Sequence, residues 1–89
     1  MKLVIAIVKD SDAMDVSDAL VENDYGVTRV ASTGGFLRRG RVTLLIGVDE
    51  DRLEDVFALI EGVCREPEHP GEHKAIIFVM PAEDFVQLG

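Results

Sequence analysis

Three short apolar runs, Leu3–Val8, Val42–Val48 and Ala75–Met80, are each too brief for a buried helix, and segments of helical period lie between them. Continuous apolar runs of this length suit strands covered on both faces. Between the first two runs, Ala13, Val16, Ala19 and Leu20 recur at helical spacing while Asp15, Asp18 and Glu22 turn outward, which predicts a helix from Ala13 to Asn23. The polar stretch Asp10 to Asp12 is expected to cap it. Asn23-Asp24-Tyr25-Gly26 is expected to end it, because Asn and Gly tolerate a left-handed backbone. Val27 to Thr33 reads as a further strand ending at Gly34-Gly35, and a short basic loop precedes Val42. The clearest helix is the second: Leu53, Val56, Phe57 and Ile60 stand at i, i+3, i+4 and i+7, with Asp51 and Glu54 in capping-box positions. Glu66 to Gly71 holds two prolines and reads as a turn. Pro81 stops the last strand, and the tail from Ala82, with Phe85 and Leu88, is expected to dock.

The order is β-α-β-β-α-β within a single domain spanning residues 1–89. At an offset of 39 positions Asp10 falls on Asp49, Asp12 on Asp51, Ala19 on Ala58, Leu20 on Leu59 and Glu22 on Glu61, a weak repeat that fits two βαβ units. Right-handed crossovers put both helices on one face of a four-stranded antiparallel sheet, the α+β ferredoxin-like plan. The opposite sheet face stays apolar, and a chain of 89 residues has nothing left to cover it. A homo-oligomer whose sheets pack together follows as an expectation.

Charge narrows the function. Nine basic residues against 17 acidic ones give a net charge of -8, which argues against DNA, RNA or an anionic membrane surface as partner. RNA-binding domains of this plan read bases with aromatic sheet residues, and here the strands carry only Phe78. The opening MKLVIAIVKDSD is too short in apolar length to span a bilayer, lacks a signal peptide's cleavage pattern and reads as a first strand. The single Cys excludes an intrachain disulfide and fits a reducing cytoplasm.

The charge is also uneven. Tyr25 to Val48 contains no acidic residue but holds Arg29, Arg38, Arg39 and Arg41, so all 17 acidic residues lie elsewhere with only five basic ones. A local basic patch on an acidic chain points to a small anionic ligand held at a focused site. Within the same segment, Ser32-Thr33-Gly34-Gly35-Phe36 combines glycines that let backbone N–H groups surround a phosphate with an aromatic face for stacking. The same residues also suit an ordinary loop with a Gly-Gly turn and solvated arginines. Composition alone leaves both readings open.

STGGFLRRG after a Val/Thr strand, followed by a strand ending G-V-D-E-D-R, resembles the PII-like cyclic di-AMP receptor family. The opening K-L-V-I-A-I-V and the late F-V-M-P-A-E-D-F match the same family, so the resemblance covers nearly the whole chain. It implies a trimeric signalling protein, not an enzyme, that takes cyclic di-AMP in clefts between subunits and is read by a downstream protein. Thr28, Gly35, Phe36 and Leu37 would line the cleft with Gly47 nearby, and Phe36 would stack on adenine. Arg29, Gly34, Arg38 and Arg41 join them as ligand candidates from the charge and glycine pattern. The chain departs from the family in three places: Arg65 to His73 is a brief turn where a long loop is usual, Asp24 and Gly26 replace Asn and Arg, and Arg41 stands where Asn is common. Arg41 could restore the lost positive charge. A runner-up reading is a PII-like trimer that has lost nucleotide binding and acts through protein contact, or takes a metal or other small ligand.

The remaining chemistry-bearing residues have simpler readings. Cys64, Glu66, His69 and His73 could be metal ligands, but a Pro-Gly turn does not hold them on one face, and solvated histidines explain them as well. Cys64 is expected to fill an apolar gap at the helix end. Asp49, Glu50, Asp51, Glu54 and Asp55 are helix-start charges favoured by the dipole. There is no Walker motif, no Gly-x-Ser-x-Gly elbow and no His-Glu-x-x-His, so no catalytic residue, cofactor or metal is assigned.

Overall fold

The computed structural model describes residues 1–30, 40–83 and 88. Along the chain run β1 (Lys2–Lys9), α1 (Asp10–Glu22), β2 (Val27–Val30), β3 (Arg41–Val48), a 3-10 turn (Glu50–Arg52), α2 (Leu53–Val63) and β4 (Ala75–Pro81). The strands form one antiparallel sheet in the order β2-β3-β1-β4. This is the ferredoxin-like arrangement expected from the order of elements.

The period of two in the strands decides which residues meet the helices. Val4, Ala6 and Val8 of β1 pair with Ile46, Leu44 and Val42 of β3, and all six are buried. Against them pack Ala13, Val16 and Leu20 of α1 and Val56 and Ile60 of α2, with Ala75 and Ile77 of β4 at the margin. The alternate residues Leu3, Ile5 and Ile7 of β1, Leu45 of β3 and Phe78 and Met80 of β4 line the other face, where Phe78 is 54% and Met80 49% exposed. Among the described residues, no helix is long and apolar enough to cross a membrane.

Several local expectations are corrected, each for a backbone reason. Asp10 to Asp12 are not a cap but the first turn of α1, whose leading amide, that of Asp10, donates to the Gly40 carbonyl at 2.8 Å. The N-cap residue is Lys9, whose ammonium has no acceptor to offer, so no side-chain cap is made. The left-handed residue after α1 is Asp24, φ 67°, and not Asn23 or Gly26; Asn23 instead donates its side-chain amide to Ala19 O at 2.8 Å. The Asp51/Glu54 capping box does not form. Chain entry into α2 passes through the tighter 3-10 turn, closed by Arg52 N–H to Asp49 O at 2.9 Å, so Asp51 lies within that turn and not ahead of the helix. Arg41 belongs to β3, not to the preceding loop. Leu88 does not dock, being 89% exposed, while Phe85 and residues 31–33 of the expected second strand lie outside the described residues.

Candidate functional site

Of the nine ligand candidates, Gly34, Gly35, Phe36, Leu37 and Arg38 lie outside the described residues, and Thr28, Arg29, Arg41 and Gly47 can be placed. Sheet register separates these four. Thr28 pairs with Leu45, so Thr28 and Gly47 sit on the open, apolar face near one end of β3. Arg29 pairs with Leu44, which is buried beneath the helices, and therefore points to the helix side. There its Nη2 approaches Asp10 Oδ1 at 3.4 Å, an exposed ion pair at the start of α1.

Arg41 is at the far end of β3 from Gly47. At about 3.3 Å per residue the six steps between them span about 20 Å, more than one nucleotide bridges. A single chain therefore does not gather Gly47 and Arg41 around one base and phosphate. Arg41 is also engaged: its side chain is only 7% exposed, Nη2 donates to His73 O at 3.3 Å, and the same nitrogen is 3.7 Å from Glu72 Oε1. Sequence reasoning treated it as a free cation. What it missed is that the brief turn after α2 folds back on the strand ends.

That turn is built for the purpose. After Val63 the chain leaves the helix through Cys64 in an extended conformation. Gly71 takes a left-handed φ of 81°, which only glycine adopts without cost, and Glu72 N–H closes on His69 O at 3.2 Å. Glu72 then reaches Lys9 Nζ at 3.0 Å, and Lys74 reaches Glu66 at 3.0 Å. The hydrogen bond from Lys9 holds the Glu72 carboxyl below its ordinary range, and Glu66 raises Lys74 in the same way. Lys9, Asp10, Ser11, Gly40, Arg41, Glu68, His69 and Glu72 surround a polar recess of about 450 Å³. Gly40, at φ 80°, is a further obligate turn glycine; the Arg-Gly-Arg spacing ahead of a strand was the available signal for it.

Two other polar ties hold the frame. Asp12, 1% exposed, lies 3.6 Å from Arg65 Nη1, and that nitrogen also donates to Ser11 O at 3.2 Å, joining the end of α2 to the start of α1. Cys64 is buried there as expected, and burial, with Asp12 nearby, pushes its thiol pKa up and away from thiolate reactivity. At the opposite end, Tyr25 donates to Asp55 Oδ2 at 2.5 Å and accepts from Arg52 Nε at 3.1 Å, while the Arg52 guanidinium stands 5.1 Å from the ring centre. The Asp55 hydrogen bond raises the Tyr25 pKa, against the lowering effect of Arg52. No group of three or more His, Cys, Asp or Glu among the described residues is arranged to hold a metal ion, Cys64, Glu66, His69 and His73 included.

The chain is similar in structure to a functionally unknown protein from Pediococcus pentosaceus ATCC 25745, with a TM-score of 0.76 and 36% sequence identity over 98% of this chain and 96% of that one. The family described as "Cyclic-di-AMP receptor" matches residues 1–70, a stretch that takes in the whole arginine- and glycine-bearing segment from Tyr25 to Val48. With the sheet, both helices and that segment all inside the match or the structural likeness, the chain belongs to the cyclic-di-AMP receptor family.

Proposed function

We propose that this chain is a single-domain subunit of a homotrimeric signal receptor that binds cyclic di-AMP in clefts between neighbouring subunits. Family membership over residues 1–70 carries the reading. Two features of the fold support it. The open sheet face is apolar, with Phe78 and Met80 about half exposed, and sheet-to-sheet packing of three copies would bury it. The roughly 20 Å between Arg41 and Gly47 suits a ligand that meets different ends of β3 on two chains. In this reading Thr28, Gly34, Gly35, Phe36, Leu37 and Gly47 form the base-binding wall, Phe36 stacks on adenine, and Arg29, Arg38 and Arg41 supply positive charge. The function is recognition without turnover, in the cytoplasm, with an unidentified downstream protein reading the bound state.

A second reading has one specific observation in its favour. Arg29 and Arg41 are both ion-paired within the chain, which fits a trimer that has lost the nucleotide and acts by protein contact. One pair of measurements separates the two. Light scattering after size exclusion is expected to give about three times the 9.8 kDa chain mass. Thermal shift and calorimetry are expected to show cyclic di-AMP raising the melting temperature, because a ligand that binds only the native state stabilises it. A trimer indifferent to cyclic di-AMP selects the second reading, and a stable monomer removes both.

A further inference from the structure

Lys9 and Arg41 are direct partners in the β1–β3 register, so two positive charges face each other at the ends of neighbouring strands. Such pairs repel. Glu72 Oε1 relieves the repulsion by approaching both, Lys9 Nζ at 3.0 Å and Arg41 Nη2 at 3.7 Å. The compensation is incomplete, since one carboxylate answers two cations. Arg41 Nη1 and Glu72 Oε2 are both buried with no hydrogen-bond partner among the described residues. The arrangement lines the polar recess, beside Gly40, where the Gly- and Arg-rich segment rejoins the described chain. Asp10 and Glu68 also face this recess, and Asp10 is already met by Arg29 at 3.4 Å.

We propose that Glu72 is an internal stand-in for a phosphate, and that a phosphate-bearing ligand takes Lys9 and Arg41 by displacing it, releasing the turn 66–73. Glu72 meets both cations through Oε1 and leaves Oε2 unpaired, whereas the tetrahedrally spread oxygens of a phosphate can meet the two cations separately, and a guanidinium presents donors in a fixed fork. Phosphate therefore satisfies the Nη1 donor that Glu72 leaves unpaired. Displacement also breaks the carboxylate link from the turn to both strands, because Glu72 contacts Lys9 and Arg41 together. Among the described residues it leaves the turn held to β3 by the Arg41 Nη2 bond to His73 O alone. The turn then reports occupancy of the site. Only the identity of the ligand as a cyclic dinucleotide rests on the function proposed above; the exchange itself rests on Lys9, Arg41 and Glu72.

The test uses the full-length chain and two probes, pyrophosphate and cyclic di-AMP, titrated by calorimetry into the wild type, Glu72→Gln and the double variant Lys9→Gln/Glu72→Gln. Glu72→Gln is expected to bind pyrophosphate at least tenfold more tightly than the wild type, and the added Lys9→Gln to remove that gain. In the wild type, pyrophosphate is expected to shift the backbone amide resonances of His69 and Glu72. Equal pyrophosphate affinity in wild type and Glu72→Gln, or anion binding that leaves the Glu72 amide unmoved, overturns the proposal. Should Glu72→Gln fail to fold, Glu72→Asp, which keeps the charge on a shorter arm, is expected to show a gain of at least threefold, and no gain there overturns the proposal equally. If pyrophosphate follows this order while cyclic di-AMP binds no variant, the nucleotide reading falls and the exchange stands. If cyclic di-AMP and pyrophosphate each bind wild type and Glu72→Gln alike, the nucleotide reading stands and the exchange falls.

Discussion

The two faces of the sheet are made by the same strands and differ by one residue of register, yet their physical situations are opposite. On the helix side Val4, Ala6, Leu44 and Ile46 have no exposed surface, and α1 and α2 close over them. On the other side Ile5, Leu45 and Ile76 are only partly covered, and Phe78 and Met80 lie about half exposed. Both faces are apolar, so hydrophobicity alone does not tell them apart. The difference teaches that the described residues of one chain supply the cover for a single face. The other face is left for a second body, which the proposed trimer provides.

The largest effect is expected where the chain covers itself. Leu44→Ala removes a fully buried side chain between the sheet and the helices and should cost about 2–5 kcal/mol, read as a lower denaturation midpoint. A loss below about 1 kcal/mol would mean that the helix face is not the core.

Next comes the proposed ligand wall, of which Thr28 and Gly47 sit on the open face. Phe36→Ala should weaken cyclic di-AMP binding by about 1–3 kcal/mol while leaving the melting temperature near that of the wild type. A strongly lowered melt with intact affinity would make Phe36 a packing residue instead.

Phe78→Asp probes the open face. Within one chain the substitution is at a half-exposed site and should change monomer stability by about 0.5 kcal/mol or less. In the trimer it buries a charge, so light scattering should show the mass falling toward that of one chain. An unchanged trimer would place the contact between copies somewhere else.

The strand ends give a pH-dependent version of the same contrast. Because Lys9 holds the Glu72 carboxyl below its ordinary value of 4.5, the Glu72 clamp contributes stability that is fully present above that value. It is lost as pH falls through the lowered value in the folded protein. The difference in melting temperature between wild type and Glu72→Gln should therefore be largest near neutrality and shrink in acid below the ordinary carboxylate range. A difference that grows in acid would assign the effect to another group.

The smallest effect is expected at Arg29. Its pair with Asp10 is more than half exposed on both sides, so Arg29→Gln should move stability by about 0.2–1 kcal/mol, and less in high salt.

Much of the architecture was legible in the sequence because it depends on local periodicity. The runs at Leu3–Val8, Val42–Val48 and Ala75–Met80 lie inside β1, β3 and β4, and Val16, Leu20, Val56 and Ile60 of the helical stripes are buried as their spacing required. The two prolines and Gly71 likewise marked the end of regular structure before β4. Composition also picked out Tyr25 to Val48 as a stretch whose basic residues have no acidic neighbours in sequence, whereas the proposed phosphate site also takes Lys9 from outside it. Tertiary structure alone decided what those charges meet. Arg41 and Glu72, Arg29 and Asp10, and Arg65 and Asp12 come together only because the crossovers bring helix ends against strand ends. The same holds for the helix starts: the repeat equates Asp12 with Asp51, yet Asp12 is buried against Arg65 while Asp51 is exposed in a 3-10 turn. Periodicity reports which side of an element is apolar. Which distant charge lies across from it depends on chain reversals that no local pattern encodes.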